Sequence, residues 1–183
     1  MNTAMIPFDA GDKVMDWHGL VAAFQAGHAR PKAKIEDLFL YRGTDTLLSR
    51  SAWIDGMGLL TKTATVFPGN KDHGKPMIGG GVMLFDDRDG ALAAVIDFHL
   101  ITKWKTAGDS LAGALMLAPP QGRQKILIVG AGTVGENLIQ AFSAGYQEAE
   151  FTVWSRTTAN ATALVAAVGK GDVVTDLEAG VRA

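Results

Sequence analysis

Two sets of residues in this chain have types and spacing suited to chemistry. The first is a glycine cluster, Gly130-Ala131-Gly132-Thr133-Val134-Gly135, which fits G-x-G-x-x-G. The pattern alone is weak. Here it directly follows the apolar run at 126–129 and opens a helical stretch, the setting in which such glycines cradle phosphates. Gly130 suits a tight turn, Gly132 admits a pyrophosphate close to the backbone, and Gly135 lets helix and strand pack closely. A helix starting there points free N–H groups and the positive end of its dipole at the phosphates. The plain alternative is a glycine-rich turn that binds nothing.

The second set is cationic. Lys62 stands inside an apolar, strand-like stretch. If buried, its ammonium needs an anionic partner, and a small carboxylate would serve. If it lies on the wet face of a strand, it needs none. Lys105 falls near the start of a helical stretch, where a cation is unfavourable unless a bound anion offsets it. Asp109, four residues on, offers the plainer partner. A third group, Ser155-Arg156-Thr157, follows the second strand of the glycine-loop unit. An NAD-type unit places an acid about 20 residues after the glycines, for the ribose 2′-hydroxyl. No acid stands there, and a hydroxyl with a guanidinium suits a 2′-phosphate better. This favours NADP(H) over NAD(H), against the alternative that Arg156 is a solvated loop residue.

The elements that must position these residues fall into two patterns. A helical stripe of Val14, Trp17, Leu20, Val21 and Phe24 runs over 12–29, with Asp12 as the expected N-cap. Segments 35–41, 46–54, 59–67, 82–85 and 91–96 are short and rich in β formers. Turn clusters such as Asp55-Gly56 and Asp86-Asp87-Arg88-Asp89-Gly90 separate them, which predicts a largely antiparallel sheet. Residues 99–117 return to a helical period and stop at Pro119-Pro120, the expected domain boundary. From Lys125 the order is strand, helix, strand, helix, strand: 126–129, 136–144, 151–154, 158–168 and 172–175. The fold class is therefore α/β: an N-terminal α+β domain, then a partial Rossmann domain.

Composition removes other classes. With 48% hydrophobic residues and a net charge of -2, the chain has enough apolar material for a core and no basic surface for nucleic acid. The absence of cysteine excludes a disulfide scaffold, a zinc–cysteine site and a thiol nucleophile. It also fits a cytoplasmic setting. Residues 1–12 lack the basic-then-apolar pattern of a signal peptide, and no apolar run approaches the ~20 residues that span a bilayer. His18, His28, His73 and His99 have no metal-ligand spacing, so no metal is expected.

Three stretches together resemble the ornithine cyclodeaminase/mu-crystallin family. They are Thr61-Lys62-Thr63-Ala64-Thr65-Val66-Phe67-Pro68-Gly69-Asn70; Val82-Met83-Leu84-Phe85-Asp86 through Gly90 to Asp97; and Thr102-Lys103-Trp104-Lys105-Thr106-Ala107, followed by Ile128-Val129-Gly130-Ala131-Gly132. The resemblance runs from about Pro31 to the end. It implies residues 1–120 as a substrate-binding and dimerisation domain, and 121–183 as the first half of a Rossmann domain. It also implies a homodimer and hydride transfer between a nicotinamide and the α-carbon of an amino or imino acid. By resemblance, Lys62 is the catalytic, substrate-contacting lysine. Lys105 stands where the family usually has arginine, which exchanges a bidentate fork for a point charge. Met77 replaces a common threonine in the substrate pocket. Lys34, in Pro31-Lys32-Ala33-Lys34, takes the place of a second substrate-binding arginine.

The resemblance puts a catalytic aspartate after a later Rossmann strand. The chain ends at Val181-Arg182-Ala183, inside an expected third helix, so a fragment or truncated product without that acid/base is expected. Three activities stay open: an NADP(H)-linked imine or amino-acid oxidoreductase, a cyclodeaminase with no net redox, and a non-catalytic cofactor-binding fragment.

Overall fold

Tight turns build the first sheet. The computed structural model describes residues 3–182. Strands β1 (Ala4–Ile6), β2 (Lys34–Arg42), β3 (Asp45–Ile54), β4 (Gly58–Val66), β5 (Ile78–Phe85) and β6 (Leu92–Asp97) form one sheet in the order β1-β6-β5-β4-β3-β2. All neighbours are antiparallel except β1, which runs parallel to β6. The β2–β3 hairpin turns at Gly43, whose φ is +58°, and the β5–β6 hairpin turns at Gly90, φ +70°. Asp87 ties two hairpins together by accepting from Trp53 Nε1 at 2.6 Å and the Gly56 N–H at 2.7 Å. A 3-10 helix (Pro68–His73) links β4 to β5.

Helices α1 (Phe8–Asp12), α2 (Trp17–His28) and α3 (Phe98–Leu117) accompany the sheet in sequence. The expected N-cap at Asp12 is corrected to Asp16. Asp12 ends α1, and the Asp16 carboxylate accepts the Gly19 N–H at 2.7 Å, which satisfies an orphan donor at the start of α2. The fourth expected strand is also longer than its apolar part. The strand expected at 82–85 begins at Ile78, so Gly79, Gly80 and Gly81 are part of β5. The reason at Gly80 is space: a Cβ there would stand 2.1 Å from the Thr63 carbonyl oxygen and 2.6 Å from the Phe98 ring.

Strands β7 (Lys125–Val129), β8 (Glu150–Trp154) and β9 (Asp172–Val173) form a second, parallel sheet. Helices α4 (Thr133–Gly145), α5 (Thr158–Val168) and α6 (Leu177–Arg182) alternate with them. Ile128, Phe151 and Val153 from the strands and Ile139, Ala141, Ala161 and Leu164 from the helices are buried together. Both crossovers run the same way across the order β7-β8-β9, which puts α4 and α5 on one face of this sheet.

The chain divides into two compact units. One is Gln25–Thr102 with the segment ending at Met15; the other is Asp16–Phe24 with the chain from Lys103 onward. The boundary expected at Pro119-Pro120 therefore sits elsewhere. Val21 of α2 and Ala107 and Leu111 of α3 belong to the core of the parallel-sheet unit, so most of α3 packs there, although it precedes the prolines.

Candidate functional site

Lys62 lies mid-strand on β4 and is half-buried. Its Nζ donates to Thr102 Oγ1 at 2.9 Å and stands 4.6 Å from the centroid of the Phe98 ring. Thr102 in turn donates to the Phe98 carbonyl oxygen at 2.8 Å. Phe98 is 5% exposed and opens α3. The Asp97 carboxylate caps that helix by accepting the His99 and Leu100 N–H groups, at 2.8 and 3.0 Å. The first turn of α3 thus presents a ring face and a hydroxyl to the lysine.

The same sheet face carries a second charged group. Asp37, Arg50, Lys62 and Val82 stand directly opposite one another on β2, β3, β4 and β5, so their side chains share a face. Arg50 grips Asp37 with Nε to Oδ1 at 2.6 Å and Nη2 to Oδ2 at 2.5 Å. The Arg50 guanidinium holds the Asp37 carboxyl below the ordinary carboxylate range. Sequence reasoning missed Phe98, Thr102, Arg50 and Asp37 as neighbours of Lys62. The Phe98/Thr102 spacing of four on a helix was a usable signal; the Asp37–Arg50 alignment needed the hairpin register.

Lys34, Met77 and Lys105 occupy other places. Lys34 pairs with Trp53 across β2 and β3 and lies 5.9 Å from that ring. Strand alternation puts it on the sheet face opposite Lys62, so the structure does not bring these two lysines together. Met77 precedes β5, its carbonyl accepts the Phe67 N–H at 2.7 Å, and its side chain is exposed. Lys105 is ion-paired to Asp109 at 2.5 Å, with both side chains largely exposed. The expected helix-start argument for Lys105 is corrected. It is the eighth residue of α3, beyond the first turn where the dipole acts.

The glycine loop lies in the second unit. Gly130 has φ +118°, a conformation that favours glycine. Its N–H donates to the Trp154 carbonyl at 2.8 Å, which sets the loop beside the end of β8. Gly135 has no room for a side chain, since a Cβ would lie 2.3 Å from the Gly130 carbonyl oxygen. Gly132 is the N-cap of α4, no side chain caps that helix, and a Cβ on Gly132 would meet nothing within 4 Å. Ala131 is half-buried, whereas Thr133 and Val134 are exposed. Ser155 and Arg156 follow β8 directly, and Thr157 is the N-cap of α5, again without a side-chain cap bond. Arg156 is exposed. The loop therefore offers uncapped helix N–H groups, open space above Gly132, and a hydroxyl and a guanidinium at the neighbouring strand end. These features fit a dinucleotide with its pyrophosphate on α4. Among the described residues no group of three or more His, Asp or Glu is placed to hold a metal, and no helix is long and apolar enough to cross a membrane.

Residues 51–180 match the ornithine cyclodeaminase/mu-crystallin family. The chain belongs to this family. Among relatives, Delta(1)-pyrroline-2-carboxylate reductase of Paracoccus denitrificans is 42% identical, over 87% of this chain and 56% of that protein. Ketimine reductase mu-crystallin of Rattus norvegicus is 34% identical, over 63% of this chain and 36% of that protein. The chain thus spans only part of the length of the family members it matches. Two solved structures share its fold. Thermococcus litoralis Delta(1)-pyrroline-2-carboxylate reductase, in complex with NADH and L-proline, superposes with a TM-score of 0.83 at 17% identity, over 97% of this chain and 58% of that one. An archaeal alanine dehydrogenase dimer with bound NAD gives 0.85 at 20% identity, over 98% and 58%. The family's α/β architecture with a Rossmann-type unit is the architecture found here.

Proposed function

We propose that this chain is the substrate-lysine and phosphate-loop portion of an NADP(H)-linked oxidoreductase acting on an imino or amino acid. The observation that carries the reading is the glycine loop. It joins a positive-φ Gly130, a sterically required Gly135 and an open Gly132 at an uncapped helix start. Backbone N–H groups of residues 132–135 would hold the pyrophosphate. Ser155, Arg156 and Thr157 would hold the adenosine ribose, with Arg156 on a 2′-phosphate. Bound there, a nicotinamide dinucleotide supplies or takes up a hydride.

Lys62 would hold the substrate carboxylate and stabilise charge near the reacting carbon as a fixed electrostatic group. Thr102 accepts from the Lys62 ammonium, and the Phe98 ring lies beside it. Lys105 contributes less, because Asp109 already neutralises it. The relatives named as a pyrroline-2-carboxylate reductase and a ketimine reductase support a net reduction over cyclodeamination.

Two measurements test this. NADPH should bind more tightly than NADH by fluorescence titration; equal affinity or tighter NADH overturns the NADP assignment. In the whole enzyme, Delta(1)-pyrroline-2-carboxylate should drive net NADPH oxidation. Ornithine consumption without net cofactor change would instead establish the cyclodeaminase.

The assembly proposed with this function is a homodimer through the first sheet. Strand β2 is a nine-residue edge whose Ile35, Leu38, Phe39, Leu40 and Tyr41 are all exposed. A long apolar edge of this kind is a pairing surface unless something covers it. A strictly monomeric species in sedimentation at micromolar concentration would remove this assembly.

A further inference from the structure

A threonine hydroxyl has one proton and two lone pairs, and an ammonium has donors only. Lys62 Nζ lies 2.9 Å from Thr102 Oγ1, so the lysine donates and the threonine accepts. The threonine's own proton goes to the Phe98 carbonyl, 2.8 Å away and one helical turn back. That bond fixes the hydroxyl rotor, so an oxygen lone pair remains for the lysine. The Phe98 ring lies 4.6 Å from the same Nζ and attracts the cation through its π face. The ring is packed in: Phe98 is 5% exposed, and a Cβ on Gly80 would stand 2.6 Å from it.

We propose that Thr102 is the positioning residue for Lys62, fixing the orientation of its ammonium before any anion arrives. This rests on the reading of Lys62 as a carboxylate contact. A lysine on a flexible four-carbon stem loses rotamer freedom when it grips an anion. Here the hydroxyl and the ring impose that order in advance, which is preorganisation. Thr102 acts through Lys62 and does not itself need to touch the substrate.

The test uses the full chain with three substitutions: Thr102→Val, which keeps the shape and loses both hydroxyl bonds; Thr102→Ser, which keeps both; and Lys62→Met. The first readout is the 15Nζ–H correlation spectrum of the lysine ammonium groups. The Lys62 signal, assigned by its loss in Lys62→Met, should stand apart from the solvated lysines in wild type and Thr102→Ser. It should merge with them in Thr102→Val. A Lys62 signal that is already averaged in wild type, or that stays displaced in Thr102→Val, overturns the proposal. The second readout is L-proline affinity by calorimetry. Thr102→Val should weaken it about threefold to thirtyfold, and Thr102→Ser should stay within about threefold of wild type. If Lys62→Met abolishes binding while Thr102→Val binds as wild type, the positioning role is wrong and the substrate lysine stands. If Lys62→Met binds as wild type, or wild type does not bind, the substrate reading fails, and the ammonium spectrum still decides whether Thr102 orders the lysine.

Discussion

The glycine loop and the Lys62 cradle, as proposed above, would hold an anion in opposite ways. The loop works by leaving side chains out. Gly130 turns, Gly135 makes room, and a ligand there would be left to backbone N–H groups at the start of α4. The cradle works by bringing side chains in, with Lys62 from a strand and Thr102 and Phe98 from a helix turn. Backbone donors are fixed by the fold itself. A lysine must be ordered by its neighbours, so a site of the second kind needs supporting residues that one of the first kind does not.

The largest effects should come from two glycines at which a Cβ would strike a backbone oxygen. Gly135→Ala places a Cβ 2.3 Å from the Gly130 carbonyl oxygen, and Gly80→Ala places one 2.1 Å from the Thr63 carbonyl oxygen. Both collisions are with backbone, so the strands or loop must move, at about 1–3 kcal/mol each. Denaturant unfolding should show both losses. Gly135→Ala should also weaken dinucleotide binding, and Gly80→Ala should displace the Lys62 ammonium signal. A Gly135→Ala variant of unchanged stability would mean that the loop tolerates side chains, and the contrast would collapse.

Next comes Gly132, which the structure leaves in open space with extended backbone, φ −102° and ψ −172°. Gly132→Val should keep the fold and lose NADPH binding, because its side chain occupies the volume proposed for the pyrophosphate. Folded protein that binds cofactor as before would show that the loop is only a turn.

The same contrast explains what the sequence revealed. The strand–glycine turn–helix unit was legible because it is local: six consecutive residues between an apolar strand and a helix. The antiparallel sheet was legible from its β-rich segments and turns, except where Gly79-Gly80-Gly81 hid the start of β5. The cradle was half legible. Lys62 stood out as a charge in an apolar stretch, but Thr102 is 40 residues away and its role depends on how α3 leaves β6. Arg50 and Asp37 meet only through the β2–β3 register. Most of α3 belongs with the second unit, and nothing before Pro119-Pro120 in the sequence signals that division.

Within the cationic set, Lys62 and Lys105 sharpen the comparison between an ordered and a solvated lysine. Lys62→Met should weaken carboxylate affinity about tenfold to a hundredfold, the loss of a charged hydrogen bond. Lys105→Met breaks an exposed pair of a kind worth about 0–1 kcal/mol. Its effect on both stability and carboxylate affinity should be the smaller of the two. Equal losses would make Lys105 a substrate contact despite Asp109.

The smallest effect expected is at the β5–β6 turn, where backbone and side-chain solutions meet in one loop. The Asp86 N–H donates to Ala91 O at 2.9 Å and the Gly90 N–H to Asp86 O at 3.0 Å, so the turn closes through backbone alone. Side chains add to it: Arg88 reaches Asp86 through Nε at 3.0 Å and Nη2 at 2.8 Å, and its N–H adds a third bond at 2.8 Å. The Arg88 side-chain bonds, and then its backbone N–H, hold the Asp86 carboxyl at about 2, down from 3.8. A carboxyl depressed on folding stabilises the protein above its unfolded value, and that contribution disappears as pH falls from 3.8 through about 2. Asp86→Asn should therefore lower Tm slightly at neutral pH. The gap from wild type should narrow through that acidic window and close below it. The pair is exposed, so salt should also shrink the gap. A gap that persists unchanged at the acid end would show that the carboxylate charge is not what Arg88 uses, and that Asp86 acts in this turn through its shape alone.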